Sequence, residues 1–302
     1  MTDGKIISDG TDKLLAREIS RRRGKGLEEF FAAIAGGAVP LDIVRKAIVR
    51  MERGRLVGVS DGRVHLALVP FAISPDGSAQ VGVPLFHPLA ARRESGVISA
   101  AAGAVASLGA RTIHIALPEE SSLAPFFLQA AFKAGPLMLE MSGGVPALSA
   151  PRKFKWIPYR TRDRRLFAEV FYRTLEGSLD FPELPVSTDG VKLMRAFEAR
   201  GGHDGDDFAA LEVGGDMCGL VLVVSQKPRV EIAYMGLVPG QRGKGLGHAL
   251  VARAAERARA HNASEIQVTV DSRNAPAIAA YEKFGLSEKR AVRIYYRVEK
   301  KS

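Results

Sequence analysis

A glycine-rich segment carrying two cations, VPGQRGKGLG (residues 238–247), follows an apolar run and precedes an alanine-rich stretch. Glycines let the backbone turn so that several N–H groups point to one place, and a helix N-terminus adds about half a positive charge there. Arg242 and Lys244, at alternate positions, would complete a cationic nest. A helix is predicted beyond the glycines, because one face carries Leu246, Leu250, Ala254 and Ala258. The segment is therefore predicted to hold an anion such as a pyrophosphate.

Single residues exclude two other phosphate-binding loops. A P-loop needs lysine where Leu246 stands, and the dinucleotide fingerprint needs a third glycine where His248 stands. The six histidines show no H-E-x-x-H or paired spacing for a metal, and no G-x-S-x-G nucleophile elbow occurs. The one cysteine, Cys218, lies within the apolar run CGLVLVV. Hydrolase and metalloenzyme chemistry are therefore unsupported.

The residues around the glycine segment predict the elements that would position it. A strand WIPYR (156–160) precedes two helices, around 166–171 and 191–199, separated by a proline-rich loop over 176–186. Three strands follow, with a Gly-Gly hairpin turn at 214–215, and then a helix, the strand EIQVTV, a short helix over 275–284 and a last strand. This order predicts an α/β domain with a mixed, mostly antiparallel sheet and one late β-α-β crossover.

The first half of the chain repeats this pattern. Aligning Pro88 with Pro239 places Gly96 on Gly247, and the last helices of the two halves pair Gly135 with Gly285. A duplicated domain is predicted, with copies at 1–149 and 150–302 and a linker over 142–155. Because strand-helix-strand patterns recur in many α/β proteins, chance similarity stays open at this point.

The run 231–247 resembles the acyl-CoA-binding motif of the GCN5-related N-acetyltransferases (the GNAT superfamily), [Q/R]-x-x-G-x-[G/A]. Asn274, Pro276 and YEKFGL (281–286) resemble the second cofactor motif of that family, at its usual separation. The resemblance covers residues 155–302 well and the first half weakly. It implies two tandem GNAT-like domains, each a mixed, mostly antiparallel sheet flanked by helices, with acetyl-CoA as the cofactor.

The resemblance also implies roles for single residues. Backbone N–H groups of the loop would hold the pyrophosphate of coenzyme A, which implies Arg242, Gly243, Lys244, Gly245, Leu246 and Gly247. The pantetheine arm would run near Leu237 and Val238, where the fourth and fifth strands splay apart, and an N–H near Val238 would polarise the thioester carbonyl. Asn274 would cap its helix or contact the cofactor.

Two residues are implied as the acid and the base of an acetyl transfer. Tyr281 would protonate the departing thiolate, and Glu231 would act as general base, directly or through water. The alternatives are an aromatic residue on the inner face of a short helix and a glutamate that faces solvent at a strand end.

The loop 176–186 lies where the family forms a lid over the acceptor. Glu176, Asp180 and Glu183 are acids in an otherwise basic chain, so they are predicted to receive a cationic amine. Solvated loop carboxylates are the alternative.

The first copy departs from the motif. By the alignment, Glu94 replaces Gly245 and Ala131 stands in place of Tyr281. A carboxylate at that position would repel a pyrophosphate. The first copy is therefore predicted to be degenerate and non-catalytic, serving as a scaffold or as one wall of the acceptor cleft.

Composition limits the broader classes of function. The chain has 302 residues, 46% of them apolar and 25% charged, which is typical of a soluble two-domain globular protein. Without a leader-like or membrane-length apolar stretch, a cytoplasmic protein that does not enter a membrane is predicted. The formal net charge of +10 favours anionic ligands, but no aromatic residues are interleaved with the cluster at 21–23 to stack nucleic-acid bases.

Together these features predict an N-acetyltransferase in which an amine acceptor directly attacks acetyl-CoA within a ternary complex. A non-catalytic coenzyme A sensor or scaffold is the alternative, and a nucleic-acid-binding module is a further rival. Neither the identity of the amine, nor the acyl-chain length, nor the oligomeric state follows from the sequence.

Overall fold

The structure of the chain is a computed structural model that describes residues 6–7, 14–19, 55–148, 150–151, 153–201 and 205–299. The basic cluster at 21–23 lies outside the described residues. The chain forms two compact units, Met1–Ala134 with Ile294–Ser302 and Gly135–Arg293. Their limits differ from the predicted domains, because residues 135–149 group with the second unit and the C-terminal residues with the first.

The first unit begins with an antiparallel run of strands. Strands β1 to β5 pair in sequence order, and β6 also pairs with β4. The strands are β1 (Ile6–Ile7), β2 (Leu14–Ile19), β3 (Arg55–Ser60), β4 (His65–Ile73), β5 (Ser78–Val81) and β6 (Leu85–Phe86).

A crossover completes the first unit. Helix α1 (Glu94–Ser107) leads to β7 (Thr112–Pro118), which lies parallel to β5, and helix α2 (Ala124–Gln129) follows. The end of the last strand, β14 (Ser287–Val298), lies beside β7. The core of this unit is built from α1, α2 and the inner faces of the strands, with Leu66, Ile113 and Phe127 fully buried.

The second unit contains β8 (Lys133–Gly144), β9 (Lys155–Tyr159), α3 (Arg164–Leu175), α4 (Gly190–Arg200), β10 (Gly205–Val213), β11 (Asp216–Gln226), β12 (Arg229–Leu237), α5 (Leu246–Ala260), β13 (Glu265–Asp271) and α6 (Ala275–Glu282). From β9 onward, it has the element order predicted from the sequence, and β8, which was not predicted, precedes it. The sheet order is β8-β13-β12-β11-β10-β9, and among these pairs only β12 and β13 run parallel. The predicted mixed, mostly antiparallel sheet is confirmed.

Helices cover both faces of this sheet. One apolar core forms between the sheet and α3 with α4, and a second forms between the sheet and α5 with α6. Among the described residues, no helix has both the length and the hydrophobicity needed to span a lipid bilayer.

The parallel pair separates halfway along β12. Its pairing with β13 runs from Arg229–Glu265 to Ile232–Val268, while β12 continues to Leu237 with only β11 beside it. The backbone of residues 233–237 is therefore open on its β13 side, which is the splay that the resemblance implied.

The predicted linker over 142–155 begins inside a strand. Ser142, Gly143 and Gly144 lie in β8 and pair with Gln267, Ile266 and Glu265 of β13. A side chain at Gly143 would collide with the carbonyl oxygen of Gly285. This part of the linker prediction was wrong, because glycine serves here for close backbone packing within the sheet and not for chain flexibility.

Candidate active site

A cleft of about 550 Å³ lies in the second unit at the splay between β12 and β13. Its walls are largely apolar, with side chains such as Ile232, Met235, Leu237, Val268, Val270 and Ala277. Gly243, Gly245, Gly247 and His248 line it at the glycine segment, whereas Thr174, Asp180, Tyr234 and Tyr281 also contribute polar groups. The cleft therefore combines a long apolar passage with a set of backbone donors and a separate set of side-chain hydroxyls and one carboxylate.

The glycine segment has the backbone conformation of an anion-binding loop. Gly243 and Gly245 have φ values of 74° and 78°, in the left-handed region that other residues adopt at a cost. Helix α5 begins directly after Gly245. In the described part of the chain, no acceptor takes the N–H groups of residues 243–247. Five consecutive donors at the positive end of a helix dipole are thus available to an anion.

Arg242 holds the loop in place instead of offering a donor to a ligand. Its backbone N–H donates to Pro239 O at 3.1 Å. Its guanidinium donates to three carbonyl oxygens, those of Thr174 (2.9 Å), Gly177 (2.9 Å) and Leu237 (3.1 Å). The anion-binding donors therefore begin at Gly243, one residue later than predicted.

The other predicted cofactor residues differ in their placement. Lys244 is exposed, with Nζ 3.4 Å from Gln241 Oε1, and lines a shallow neighbouring pocket beside the side chain of Leu246, which is itself buried. Asn274 lines the cleft and caps α6, accepting a hydrogen bond from Ala277 N–H at 3.3 Å. The side chains of Lys244 and Leu246 do not line the cleft, so these two residues can contribute only their backbone N–H groups to it. Asn274 has the predicted role of helix cap.

Backbone donors alternate along β12. Val238 N–H donates to Cys218 O at 2.9 Å, and the pairs Gly236–Leu220 and Tyr234–Leu222 follow in the same register. Because alternate residues of an antiparallel pair turn their N–H and C=O groups to opposite sides, Met235 and Leu237 direct theirs away from β11. The N–H of Val238 itself is already bonded, so the predicted donor near Val238 is narrowed to the open N–H groups of Met235 and Leu237.

Tyr281 lies in the cleft wall on α6. Only 4% of the residue is exposed, and no described residue hydrogen-bonds its hydroxyl. Burial, with a further contribution from the negative charge of Asp180, raises the pKa of Tyr281 above its ordinary value. The phenol therefore stays protonated and is free to donate a proton into the cleft.

A second tyrosine, which the sequence analysis did not single out, lines the same cleft from β12. The hydroxyl of Tyr234 lies 2.5 Å from Thr174 Oγ1, which in turn donates to Phe171 O at 2.6 Å. Because a threonine hydroxyl has a single proton, Tyr234 is the donor in the first of these bonds. A side chain at Gly236 would approach both groups too closely. No sequence pattern indicates this pair beyond the aromatic residue in the strand.

The loop over 176–186 is tied to the end of β13. Asp271, fully buried, accepts a hydrogen bond from Phe181 N–H at 3.1 Å, and its own N–H donates to Asp180 Oδ1 at 2.8 Å. Arg273 bridges Asp271 Oδ2 (2.6 Å) and Glu183 Oε1 (2.5 Å). Burial alone would raise the pKa of Asp271, but the hydrogen bonds from Arg273 and Phe181 outweigh it and hold the pKa below its ordinary value.

These contacts separate the three predicted acceptor carboxylates. Glu183 is paired with Arg273, and neither Glu183 nor Glu176 lines the cleft. Asp180 does line it. Of the predicted acids, the structure brings only Asp180 together with Tyr281.

Glu231 lies away from this group, near the start of β12. Its carboxylate accepts hydrogen bonds from Arg200 at 2.7 Å and from Gln226 at 2.8 Å. It is not among the residues that line the cleft. This placement argues against the predicted general-base role, because both carboxylate oxygens are engaged and neither faces the site.

The corresponding loop of the first unit keeps part of the same geometry. A 3-10 turn over Pro88–Ala90 matches the turn over Pro239–Gln241, and Arg92 has a φ of 68°, close to that of Gly243. However, the residue aligned with Gly245 is Glu94, the first residue of α1. A carboxylate therefore lies in the first turn of this helix.

The partner of Tyr281 in the first unit is Phe127, and the alignments of Ala131 with Tyr281 and of Gly135 with Gly285 were wrong. Ala131 has a φ of 63°, and Phe132 N–H returns to Phe127 O, just as Gly285 has a φ of 79° and Leu286 N–H returns to Tyr281 O. The error arose because the two glycines were paired, whereas the turn after α2 is made by Ala131 in place of a glycine. Phe127 and Phe132 fill the space beside α1, where a void of only about 10 Å³ remains.

Within the described ranges, no group of three or more His, Cys, Asp or Glu side chains is arranged to hold a metal ion.

Comparison with known proteins finds similarity to acetyltransferases. A family model described as the acetyltransferase (GNAT) family matches residues 172–286. A streptothricin acetyltransferase of Streptomyces lavendulae is 34% identical over 108 residues, which cover 32% of this chain and 57% of that protein. A mycothiol acetyltransferase of Corynebacterium glutamicum is 39% identical over 75 residues, which cover 24% of this chain and 26% of that protein. The chain therefore spans only about half or less of the length of these curated relatives.

Solved structures resemble nearly the whole chain. A GCN5-related N-acetyltransferase from Sphaerobacter thermophilus matches with a TM-score of 0.57 at 15% identity, covering 94% of this chain and 95% of that one. A tandem GNAT protein from the clavulanic acid biosynthesis pathway matches with a TM-score of 0.54 at 16% identity, covering 96% and 99%. At these identities the likeness shows the fold, and it confirms the predicted α/β class with two tandem GNAT-like domains.

Proposed function

We propose that this chain, which carries an acetyltransferase domain of the GNAT family over residues 172–286, transfers an acetyl group from acetyl-CoA to an amine acceptor. The single observation that carries the proposal is the cleft in which an anion-binding loop, an open strand edge and a free tyrosine hydroxyl meet. The names of the two curated relatives support acetyl transfer. The acceptors in those names are not carried over, because the matched regions are short.

The residues of the cleft fit coenzyme A. The five open N–H groups of residues 243–247 would hold its pyrophosphate, and the two left-handed glycines keep those groups turned to one side. The apolar walls formed by Ile232, Leu237 and Val270 would take the pantetheine arm. The N–H groups of Met235 and Leu237 would pair with its amides or with the acyl oxygen.

In a direct transfer within a ternary complex, Leu237 N–H and the hydroxyl of Tyr281 would each have a separate role. Acetyl-CoA, when bound, supplies an acyl carbon that accepts the amine's electron pair and a thiolate that leaves with the electrons of the broken carbon–sulfur bond. Leu237 N–H would donate to the acyl oxygen as negative charge develops on it, an effect worth a few kcal/mol in related oxyanion sites. Tyr281 would give its proton to the leaving thiolate and recover one from the amine nitrogen.

The first unit would contribute no cofactor site. We propose that it is a degenerate, non-catalytic copy, supported by Glu94 at its helix start, by Phe127 in place of a tyrosine and by the filled space beside α1.

A thiol-release assay tests the proposed function. The full chain is mixed with acetyl-CoA and a broad panel of amines, and free coenzyme A is measured with a chromogenic disulfide. We expect release that depends on one class of amine and is lost in Gly245→Glu, which strains the backbone and places a carboxylate among the anion-binding donors. Gly62→Glu is the matched control, because Gly62 has a φ of 91° and open surroundings in the first unit.

The alternative function, a non-catalytic coenzyme A sensor, gives a different result. In that case the chain would bind coenzyme A in a calorimeter but release no thiol with any amine. Loss of binding in both glycine variants would instead show that the substitution acts through stability.

A further inference from the structure

Charge is unevenly distributed along the cleft. Arg242, the only Lys or Arg side chain among the described lining residues, lies at the anion-binding loop, whereas Asp180 is the only carboxylate among them. A cleft that serves two substrates thus has one acidic position, separate from the donors expected to hold the cofactor. This asymmetry identifies the place where a positively charged substrate is favoured.

Asp180 is held rigidly. Its Oδ1 accepts the N–H of Asp271 at 2.8 Å, and its own N–H donates to Ser178 Oγ at 3.1 Å. Phe181, the next residue, is fixed by Asp271 Oδ2. No described residue donates to Oδ2 of Asp180, so one oxygen is anchored and the other is available to a ligand in the cleft.

The surroundings of Asp180 raise its pKa, although solvent reaches the residue through the cleft. The protein around the carboxyl group, together with the negative charge of Asp271, raises the pKa of Asp180 above its ordinary value, although the hydrogen bond from Asp271 N–H opposes this. The other titratable groups near it are Tyr234 on β12, Tyr281 on α6, and Arg273, which follows β13 and is neutralised by Asp271 and Glu183.

We propose that Asp180 is the catalytic base of the acetyl transfer, binding the acceptor as an alkylammonium ion through Oδ2 and removing the proton that blocks its attack. This inference rests on the proposed function and replaces Glu231, whose carboxylate is engaged by Arg200 and Gln226, as the base.

The proton balance is complete without another reagent. Asp180 carboxylate takes one proton from R–NH3+ and becomes a neutral acid, which leaves R–NH2 with a free electron pair. The new carbon–nitrogen bond uses that pair, and the nitrogen then gives its second proton to the tyrosinate left at Tyr281. Asp180 returns its proton to water through the open side of the cleft. The net release is one proton for each amide formed from an ammonium ion.

This role predicts which acceptors are selected. An amine that is charged at neutral pH gains from the carboxylate twice, in binding and in deprotonation, whereas an amine that is already neutral gains little. The acceptor class is therefore a strongly basic, alkyl primary amine, and anionic or weakly basic amines are disfavoured.

The experiment compares Asp180→Asn with the unaltered chain on two acceptors. One is an alkylamine active in the thiol-release assay, and the other is its β,β,β-trifluorinated analogue, whose amine is neutral at about pH 8 because the fluorines withdraw electrons from the nitrogen. Asparagine keeps an oxygen for Asp271 N–H, so the loop is preserved. We expect kcat/KM for the alkylamine to fall by about 100-fold, within the usual range for a lost general base, and that for the fluorinated amine by less than about fivefold.

The pH profile provides a readout that a purely structural role would not produce. In the unaltered chain, kcat/KM for the alkylamine is level above the pKa of Asp180 until the amine itself deprotonates. In Asp180→Asn it rises steadily with pH toward the pKa of the amine, because only neutral amine then reacts. Asp180→Glu, which keeps the carboxylate, should restore the level region. Glu169→Gln, on the exposed face of α3, is the matched control and should behave like the unaltered chain.

The outcomes separate this inference from the proposed function. An unaltered chain that releases no thiol with any amine would overturn both. A chain that is active, but in which Asp180→Asn loses equal activity on both amines or none on either, would overturn the role of Asp180 alone. Calorimetric titration with coenzyme A checks that each variant is folded. If the asparagine variant does not fold, the pH profile of Asp180→Glu becomes the test. A profile of kcat/KM without a level region in this variant would count against the proposal.

Discussion

Two tyrosines in one cleft are distinguished by their hydrogen bonds. Tyr234 donates its proton to Thr174 Oγ1, whereas Tyr281 has no partner among the described residues. Burial raises the pKa of both above the ordinary value, so both are protonated at neutral pH. Tyr281 alone is free to release its proton to a substrate. Tyr234 instead supports the wall that faces Asp180.

We expect Tyr281→Phe to lower kcat by about 100-fold with little change in the affinity for acetyl-CoA, because the variant removes a proton donor and no ground-state hydrogen bond. Its free energy of unfolding should hardly change, since the buried hydroxyl has no partner to lose. Steady-state thiol release, calorimetry and urea unfolding measure the three quantities. Tyr295→Phe, in the core of the first unit, is the control. Unchanged turnover in Tyr281→Phe would remove this residue from the mechanism.

The direction of the pKa shift also predicts the alkaline pH dependence. A general acid must be protonated to act, and burial keeps Tyr281 protonated at pH values above those at which an ordinary tyrosine ionises, about 10. The activity of the unaltered chain should therefore show no alkaline decline due to this residue up to about pH 10. A pH profile that falls near pH 8 and becomes level in Tyr281→Phe would contradict this assignment.

Arg242 joins the anion-binding loop to the start of the loop over 176–186. Its guanidinium binds the carbonyl of Thr174 in the last turn of α3, that of Gly177 just beyond it, and that of Leu237 at the end of β12. One side chain thus satisfies helix-end carbonyls and fixes the two loops that shape the cleft.

We expect Arg242→Met to reduce the free energy of unfolding by about 2 kcal/mol, because three carbonyl oxygens lose a charged donor. A protease that cuts after glutamate should also cleave the loop over 176–186 sooner, at Glu176 or Glu183. Lys244→Met is the matched control for stability, since Lys244 is exposed and its one side-chain contact is 3.4 Å long, so its effect should stay below about 0.5 kcal/mol. Equal stability of the two variants would show that the contacts of Arg242 contribute nothing to the fold.

The sequence predicted the elements from β9 onward and the turns of the glycine segment, because their signals are local. Glycine conformation, helix periodicity and a Gly-Gly hairpin depend on neighbouring residues. It did not predict which side chains meet. Engagement of Glu231 by Arg200, bonding of Val238 N–H to Cys218 O and pairing of Glu183 with Arg273 join distant parts of the chain. The packing of Gly143 against Gly285 is also a contact between distant residues. For this reason the sequence predicted a linker where the structure has a strand.

The two units preserve the same turns but differ in what these turns can bind. Arg92 and Ala131 adopt the left-handed conformation that Gly243 and Gly285 have in the second unit, so the backbone path has been retained without the glycines. Phe127 and Phe132 fill the space beside α1 in the first unit, whereas the second unit has an open cleft. Retained shape with a filled interior is the pattern expected of a copy that serves the fold and not the chemistry.

This difference predicts one coenzyme A site per chain. Isothermal titration of the full chain with coenzyme A should give a stoichiometry of about one, because, among the residues that the structure describes, 243–247 alone present consecutive open N–H groups beside a cleft. Gly245→Glu should abolish the binding heat. Phe127→Ala, which enlarges the void in the first unit, should lower the stability of the chain by about 3 kcal/mol and leave the stoichiometry unchanged, since Glu94 still stands at the start of α1. A stoichiometry of two, or binding heat that survives Gly245→Glu and disappears in Phe127→Ala, would place a cofactor site in the first unit and refute its degenerate status.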